Sequence, residues 1–143
     1  MAETQASAGY GVQLQVDDGS GSFSTIAEVT SLSGPELSAD TADVTHHQSP
    51  GGWEEHIPTI LRSGEVSATI NYLPGDSTQD ASSGLLSLLD SKTKRDYKII
   101  FPDAASTTWT LSAYVTGFSP SAPVDDRLSA DVTLKATGQP TLA

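Results

Sequence analysis

The chain has 143 residues, a formal net charge of −11 and an apolar fraction of 36%. A single domain of this length buries roughly 70% of its unfolded surface, so one core without covalent staples is feasible. The acidity disfavours a grip on nucleic acid or an anionic membrane, and the absence of cysteine excludes disulfides, thiolate metal centres and cysteine nucleophiles.

No apolar run approaches the ~20 residues that cross a bilayer. Residues 1–11 lack the basic-then-apolar layout of a signal peptide. A mature, soluble, unsecreted chain is expected.

Residues 1–10 are small and polar and read as a flexible arm. Val12, Leu14 and Val16 alternate with Gln13 and Gln15, the mark of a half-buried strand. Asp17-Asp18-Gly19-Ser20-Gly21-Ser22 reads as a hairpin loop. Phe23–Ser33 is expected as one strand anchored by Ile26 and Val29, broken at Gly34-Pro35. A weaker strand with Leu37 and Val44 follows over 36–45.

Residues 46–63 have no clear period and are read as a long loop. Trp53, Ile57, Ile60 and Leu61 argue that this loop packs on something, either its own domain or another chain. Residues 65–72 form the cleanest strand, with Val66, Ala68, Ile70 and Tyr72 on one face. Leu73-Pro74-Gly75-Asp76 is a turn. A helix is expected over 79–91, capped by Thr78 or Asp80, with Leu85, Leu86, Leu88 and Leu89 on a common face. Strands are expected at 96–101, 109–118 and 128–136, with a Pro-rich loop over 119–127 and a tail at 139–143. The domain is therefore 11–138, a mainly β fold: a sandwich or barrel of about seven strands with one flanking helix.

Catalytic patterns are missing. There is no Gly-x-Ser-x-Gly elbow, no P-loop and no dinucleotide fingerprint, so no enzyme and no cofactor are expected. His46, His47 and His56 lie among Asp43, Glu54 and Glu55, but their spacing matches no familiar metal pattern and reads as loop polarity. Asp17-Asp18-Gly19 lacks the spacing of a calcium loop.

Charge is unevenly laid out. The first 61 residues hold nine acids and no Lys or Arg, whereas Lys92, Lys94, Arg95 and Lys98 cluster after the helix. These cations suit the negative end of a helix dipole. They equally suit a contact with the acidic half of a neighbouring copy, of the head-to-tail kind that closes rings.

Read in order, a set of segments resembles the tail tube (major tail) proteins of long-tailed bacteriophages. They are Gly51-Gly52-Trp53-Glu54-Glu55-His56-Ile57-Pro58, Gly64-Glu65-Val66-Ser67, Ile70-Asn71-Tyr72-Leu73-Pro74 and the helix with Gly84-Leu85-Leu86. Tyr97 to Asp103, Trp109 to Gly117 and Val132 to Pro140 complete the set, and the likeness spans most of residues 25–141.

The resemblance implies a structural virion protein whose rings, usually of six subunits, stack into a hollow tube for DNA ejection. Each subunit would lend about four strands to the wall, and twenty-four strands tilted by ~45° enclose a backbone diameter of roughly 50 Å. Its partners would be further copies of itself, a tape measure protein, a terminator and distal tip proteins, with DNA passing unbound and no membrane involved. It would reside in the virion tail after assembly in the host cytoplasm.

Within that picture Trp53, Glu54, Glu55, His56, Ile57 and Arg62 are expected at the ring-stacking contact, and Lys92, Lys94, Arg95 and Lys98 within a ring. Glu65, Thr69, Asp131 and Thr133 suit a polar lumen as well as ordinary solvent-facing strand positions. A type VI secretion-like tube and a carbohydrate-binding β-sandwich are the alternative functions.

Overall fold

The computed structural model describes residues 3, 4 and 6–142. Those before residue 11 that it describes are exposed and lie outside any helix or strand. Residues 1, 2, 5 and 143, which belong to the expected arm and tail, fall outside the described residues.

Nine strands and one α-helix follow: β1 (Gln13–Asp17), β2 (Phe23–Thr25), β3 (Val29–Ser33), β4 (Ser38–Asp43), β5 (His56–Arg62) and β6 (Glu65–Asn71) come first. They are followed by α1 (Leu85–Ser91), β7 (Arg95–Ile100), β8 (Thr108–Ser121) and β9 (Ser129–Leu142). Seven strands form one sheet in the order β2-β1-β7-β8-β9-β6-β3, and β4 and β5 form a separate pair.

This order forces the sheet to roll. β2 and β3 lie at opposite edges, which a flat sheet would hold about 29 Å apart at ~4.8 Å per strand. Yet the four residue steps from Thr25 to Val29 span at most about 14 Å. The two edges therefore meet. Ile26 donates its amide to the Leu14 carbonyl on β1 at 2.9 Å or less (2.8 Å), and Glu28 accepts from the Asn71 amide on β6 at 2.9 Å. Glu28 takes a positive φ of 53° at this seam. That kink is why the expected single strand 23–33 is split in two.

Alternation fills the interior. Val66, Ala68 and Ile70 of β6 meet Leu134, Val132 and Ala130 of β9 in register, and Tyr97 of β7 meets Leu111 of β8. All are buried. Leu85 and Leu88 of α1 join the same cluster, while Leu86 and Leu89 are half-buried. Full burial of each such aliphatic side chain stabilises the fold by about 1.5–3 kcal/mol.

The helix is shorter than expected because residues 77–84 form turns. Asp80 holds them, its Oδ1 accepting from the amides of Ser83 at 2.9 Å and Gly84 at 3.0 Å. At the other end of the chain β9 runs on to Leu142, pairing Leu142 with Trp109, so residues 139–142 are strand and not tail. The expected loop 119–127 begins later for the same reason, since Ser119, Pro120 and Ser121 pair with Asp131, Ala130 and Ser129. The segment 46–63 is not all loop either, because β5 occupies 56–62.

Candidate assembly surfaces

The β4–β5 pair stands off the rolled sheet as an arm. Its roots are two backbone crossings. Gly34 has φ +100°, and a Cβ there would lie 2.4 Å from the Glu65 carbonyl oxygen. Gly64 has φ +65°, and a Cβ there would lie 2.4 Å from the Glu36 carbonyl oxygen. The approach of a carbonyl oxygen to within 2.4 Å of a Cβ excludes a side chain at both positions, and the positive φ favours glycine there. Ser63 beside Gly64 donates its hydroxyl to the Gly138 carbonyl at 3.3 Å, which ties the root to β9.

Every residue of β5 is exposed. A register shift between Ala39 and Thr41 breaks the alternation of β5, so Ile57 lies on one face with Ala42 of β4, and Pro58 and Leu61 lie on the other with Ala39 and Thr41. Both faces of the arm are thus apolar and bare. Leu61 is 81% exposed and Trp53, in the connecting loop, 77%. Two bare strands are marginal in water, and clustered exposed apolar side chains mark a contact surface.

The arm is ordered internally by polar contacts. Arg62 sets Nε and Nη2 on Asp40 Oδ2 at 2.9 and 2.7 Å. This hydrogen bond, more than the charge alone, holds the Asp40 carboxyl below its usual value and raises the Arg62 guanidinium. At the tip Ser49 donates its hydroxyl to Glu55 Oε2 at 2.7 Å, and His46 Nδ1 lies 3.4 Å from the same oxygen. Of the expected stacking residues, all six lie on this arm. Trp53, Glu54, His56 and Ile57 are exposed, with Glu54 and His56 3.4 Å apart, and Arg62 and Glu55 are bonded to Asp40 and Ser49 within the arm.

The basic cluster does not form one ridge. Lys92 closes α1 in a left-handed conformation and Lys94 is exposed in the following turn. Arg95 and Lys98, three residues apart on β7, point to opposite faces of the strand. The Lys98 ammonium sits 4.1 Å above the Phe23 ring. Lys92, Lys94 and Arg95 thus gather just after α1, while Lys98 is placed over Phe23.

The four lumen candidates do come together. Glu65 and Thr69 on β6 share the outer face with Asp131 and Thr133 on β9, and Thr69 donates to Asp131 Oδ1 at 3.0 Å. Ser67 pairs with Thr133, and Ser31 and Ser33 of β3 continue the face beside Thr69 and Ser67. Lys135 lies on this face too, 3.9 Å from Glu65. Among the described residues this face is rich in hydroxyls, and its Lys135 lies beside an acid.

Among residues the sequence does not single out, Gln79 stands foremost. It is fully buried in an otherwise polar stretch. Its side chain accepts from the Leu73 amide at 2.8 Å and donates to the carbonyls of Ala27 and Asn71. No hydrophobic pattern could have flagged it.

The model of the family described as lambda phage tail tube protein matches residues 10–143. No curated protein sequence matches the chain. The tail of an empty gene transfer agent particle, refined helically with C6 symmetry, superposes with a TM-score of 0.79 at 20% identity, over 96% of this chain and 99% of that one. A chain of the sheath–tube complex of an extracellular contractile injection system gives a TM-score of 0.71 at 21% identity, over 97% of this chain and 92% of that one. The SPP1 tail tube gives 0.64 at 14% identity, over 89% and 73%. These distant likenesses establish the shared fold, and the family match covers nearly the whole sequence. The chain belongs to the lambda phage tail tube protein family and serves as a structural tail tube protein.

Proposed function

We propose that copies of this chain form sixfold rings that stack into the tube of a long, sheathless tail, through which the genome leaves the virion. The observation that carries the reading is the arm. An arm with Ile57 on one face and Leu61 on the other has two surfaces to cover. A single neighbour covers one, whereas insertion between a ring and the next covers both.

Trp53, Glu54, His56 and Ile57 then meet the adjacent ring. The groove of about 860 Å³ at the arm root, lined by Leu37, Leu61, Pro140 and Leu142, receives part of a neighbouring copy. Lys92, Lys94 and Arg95 pair with acidic residues of a neighbour in the ring, which sets register more than affinity. The outer face of β6 and β9 lines the bore. DNA slides past Glu65, Thr69, Asp131 and Thr133 because this wall is rich in acids and hydroxyls, and its Lys135 stands 3.9 Å from Glu65, which limits the release of counterions. A tape measure protein fills the bore before DNA, and terminator and tip proteins close the ends. Assembly takes place in the host cytoplasm.

The test is Trp53→Ala. The variant is expected to fold as a monomer and to build no tubes in negative-stain images at high concentration. Wild-type-length tubes from the variant, or no ordered assembly of the unaltered chain under any condition, would sink the reading.

A further inference from the structure

We propose that the tip of the arm carries a divalent transition-metal site formed by Asp43, Glu54 and His56. The inference does not depend on tube formation, since all three residues belong to one copy.

The fold brings them together from both strands of the arm. Asp43, the last residue of β4, pairs directly with His56, the first of β5. Glu54 lies two residues before His56, so extended backbone projects it to the same side. One ligand atom from each of the three falls within 4.8 Å of the others.

Spacing and chemistry both suit a metal. Glu54 Oε2 and His56 Nε2 are 3.4 Å apart. That is long for a charge-assisted hydrogen bond, which closes to about 2.7–2.9 Å. It matches the edge of a tetrahedron around zinc, because two ligands at ~2.0–2.1 Å and the tetrahedral angle lie about 3.4 Å apart. One imidazole nitrogen and two carboxylate oxygens suit zinc or a neighbouring first-row dication, while the imidazole disfavours calcium and magnesium.

The carboxylate of Asp43 is already oriented. Its Oδ1 accepts from the Thr45 amide at 2.8 Å, which leaves Oδ2 for an ion. Such outer contacts fix ligand orientation in metal sites. Arg62, the nearest arginine in sequence, is at the far end of β5 on Asp40 and does not neutralise the group. The site opens to solvent, so water completes the coordination.

Titration of the full-length monomer with zinc chloride tests this, read by calorimetry and by amide chemical shifts. One-to-one binding is expected, with shifts centred on residues 43, 54 and 56. His56→Gln and Asp43→Asn are expected to weaken it by more than about tenfold each, since even outer-shell partners are worth that much. His46→Gln is expected to bind as the unaltered chain does, because His46 belongs to the separate contact with Glu55 and Ser49. Asp43, His46 and His56 are all exposed, and circular dichroism of each variant verifies the fold. No zinc-induced heat or shift, affinity unchanged in His56→Gln, or binding abolished in His46→Gln would each overturn the proposal.

Discussion

Gln79 donates its side-chain amide to the carbonyl of Ala27, across 52 residues of sequence, at 2.9 Å. Ala27 is the middle residue of the seam where the two edges of the rolled sheet meet, and its own amide donates to Thr78 Oγ1 at 3.1 Å. The same Gln79 nitrogen also reaches the Asn71 carbonyl at 3.2 Å, and Gln79 Oε1 accepts from Leu73. One fully buried amide thus satisfies three backbone groups that have no place in a strand ladder. Gln79→Leu leaves those groups without partners at about 1–3 kcal/mol each, partly relieved by solvent entry. A loss of roughly 3 kcal/mol is expected. Urea unfolding checks it, with the midpoint lowered and the slope unchanged.

The arm roots yield a second prediction. Gly34→Ala and Gly64→Ala each place a methyl group 2.4 Å from a carbonyl oxygen at a positive φ. Both should destabilise the chain by about 2 kcal/mol or more, through strain and not through lost burial. Because the crossings are reciprocal, Gly34 on Glu65 and Gly64 on Glu36, the double variant should cost less than the two singles added. Thermal unfolding of the three variants checks the coupling.

Leu61→Asp and Ile57→Asp probe the two faces of the arm separately. Both side chains are exposed, so the stability of the free monomer should change by no more than about 0.5 kcal/mol. Either charge should abolish tube growth if each face is covered in the tube. Sedimentation of the monomer and electron microscopy of assembly mixtures separate the two effects.

Much of this architecture was legible in the sequence, and the misses have physical causes. β6, β8 and β9 declare themselves because one face is buried and the other solvated, which writes period-2 alternation into Val66, Ala68 and Ile70 and their partners. β5 carries no such signal, because neither face is buried in the single chain and Pro58 sits within it. Gly138 and Pro140 look like the end of a strand, yet β9 continues past them to pair with Trp109 and Thr110. Asp43, Glu54 and His56 stand out in the sequence, but their spacing fits no metal pattern because 43 and 56 become neighbours only through strand pairing. Gln79 was hidden because its partners are backbone groups, which leave no trace in residue type.

Acid should weaken the fold through a defined set of carboxylates. Asp103 is held below its usual value first by the Thr107 hydroxyl and then by the Thr107 amide, and Asp80 first by the Ser83 amide. Asp18 is lowered chiefly by the Ser20 hydroxyl. A carboxyl whose folded pKa is depressed adds stability above its unfolded value of about 3.9 and loses it as pH falls through the folded value. The melting temperature should therefore vary little between pH 8 and 5 from this source and drop below about pH 4. Asp103→Asn should make that acid slope shallower, with a lower plateau at neutral pH.

The face shared by β6 and β9 makes the last prediction. Glu65 lies 3.9 Å from Lys135, and Asp131 accepts from Thr69, so among the described residues the proposed bore presents acids and hydroxyls with its lysine beside an acid. Glu65→Lys removes the partner of Lys135 and adds a second cation beside it, and sixfold repetition would place twelve such charges around each ring. Cations on the wall would condense on DNA by releasing counterions, an attraction that falls steeply with salt. Glu65 adjoins the arm root, so electron microscopy first verifies that each variant still builds tubes. Ejection triggered in vitro should slow in low salt and recover as salt rises. Glu65→Gln, which frees Lys135 without adding charge, should give a smaller effect in the same direction. Ejection rates that ignore both substitutions at every salt concentration would place this face away from the bore.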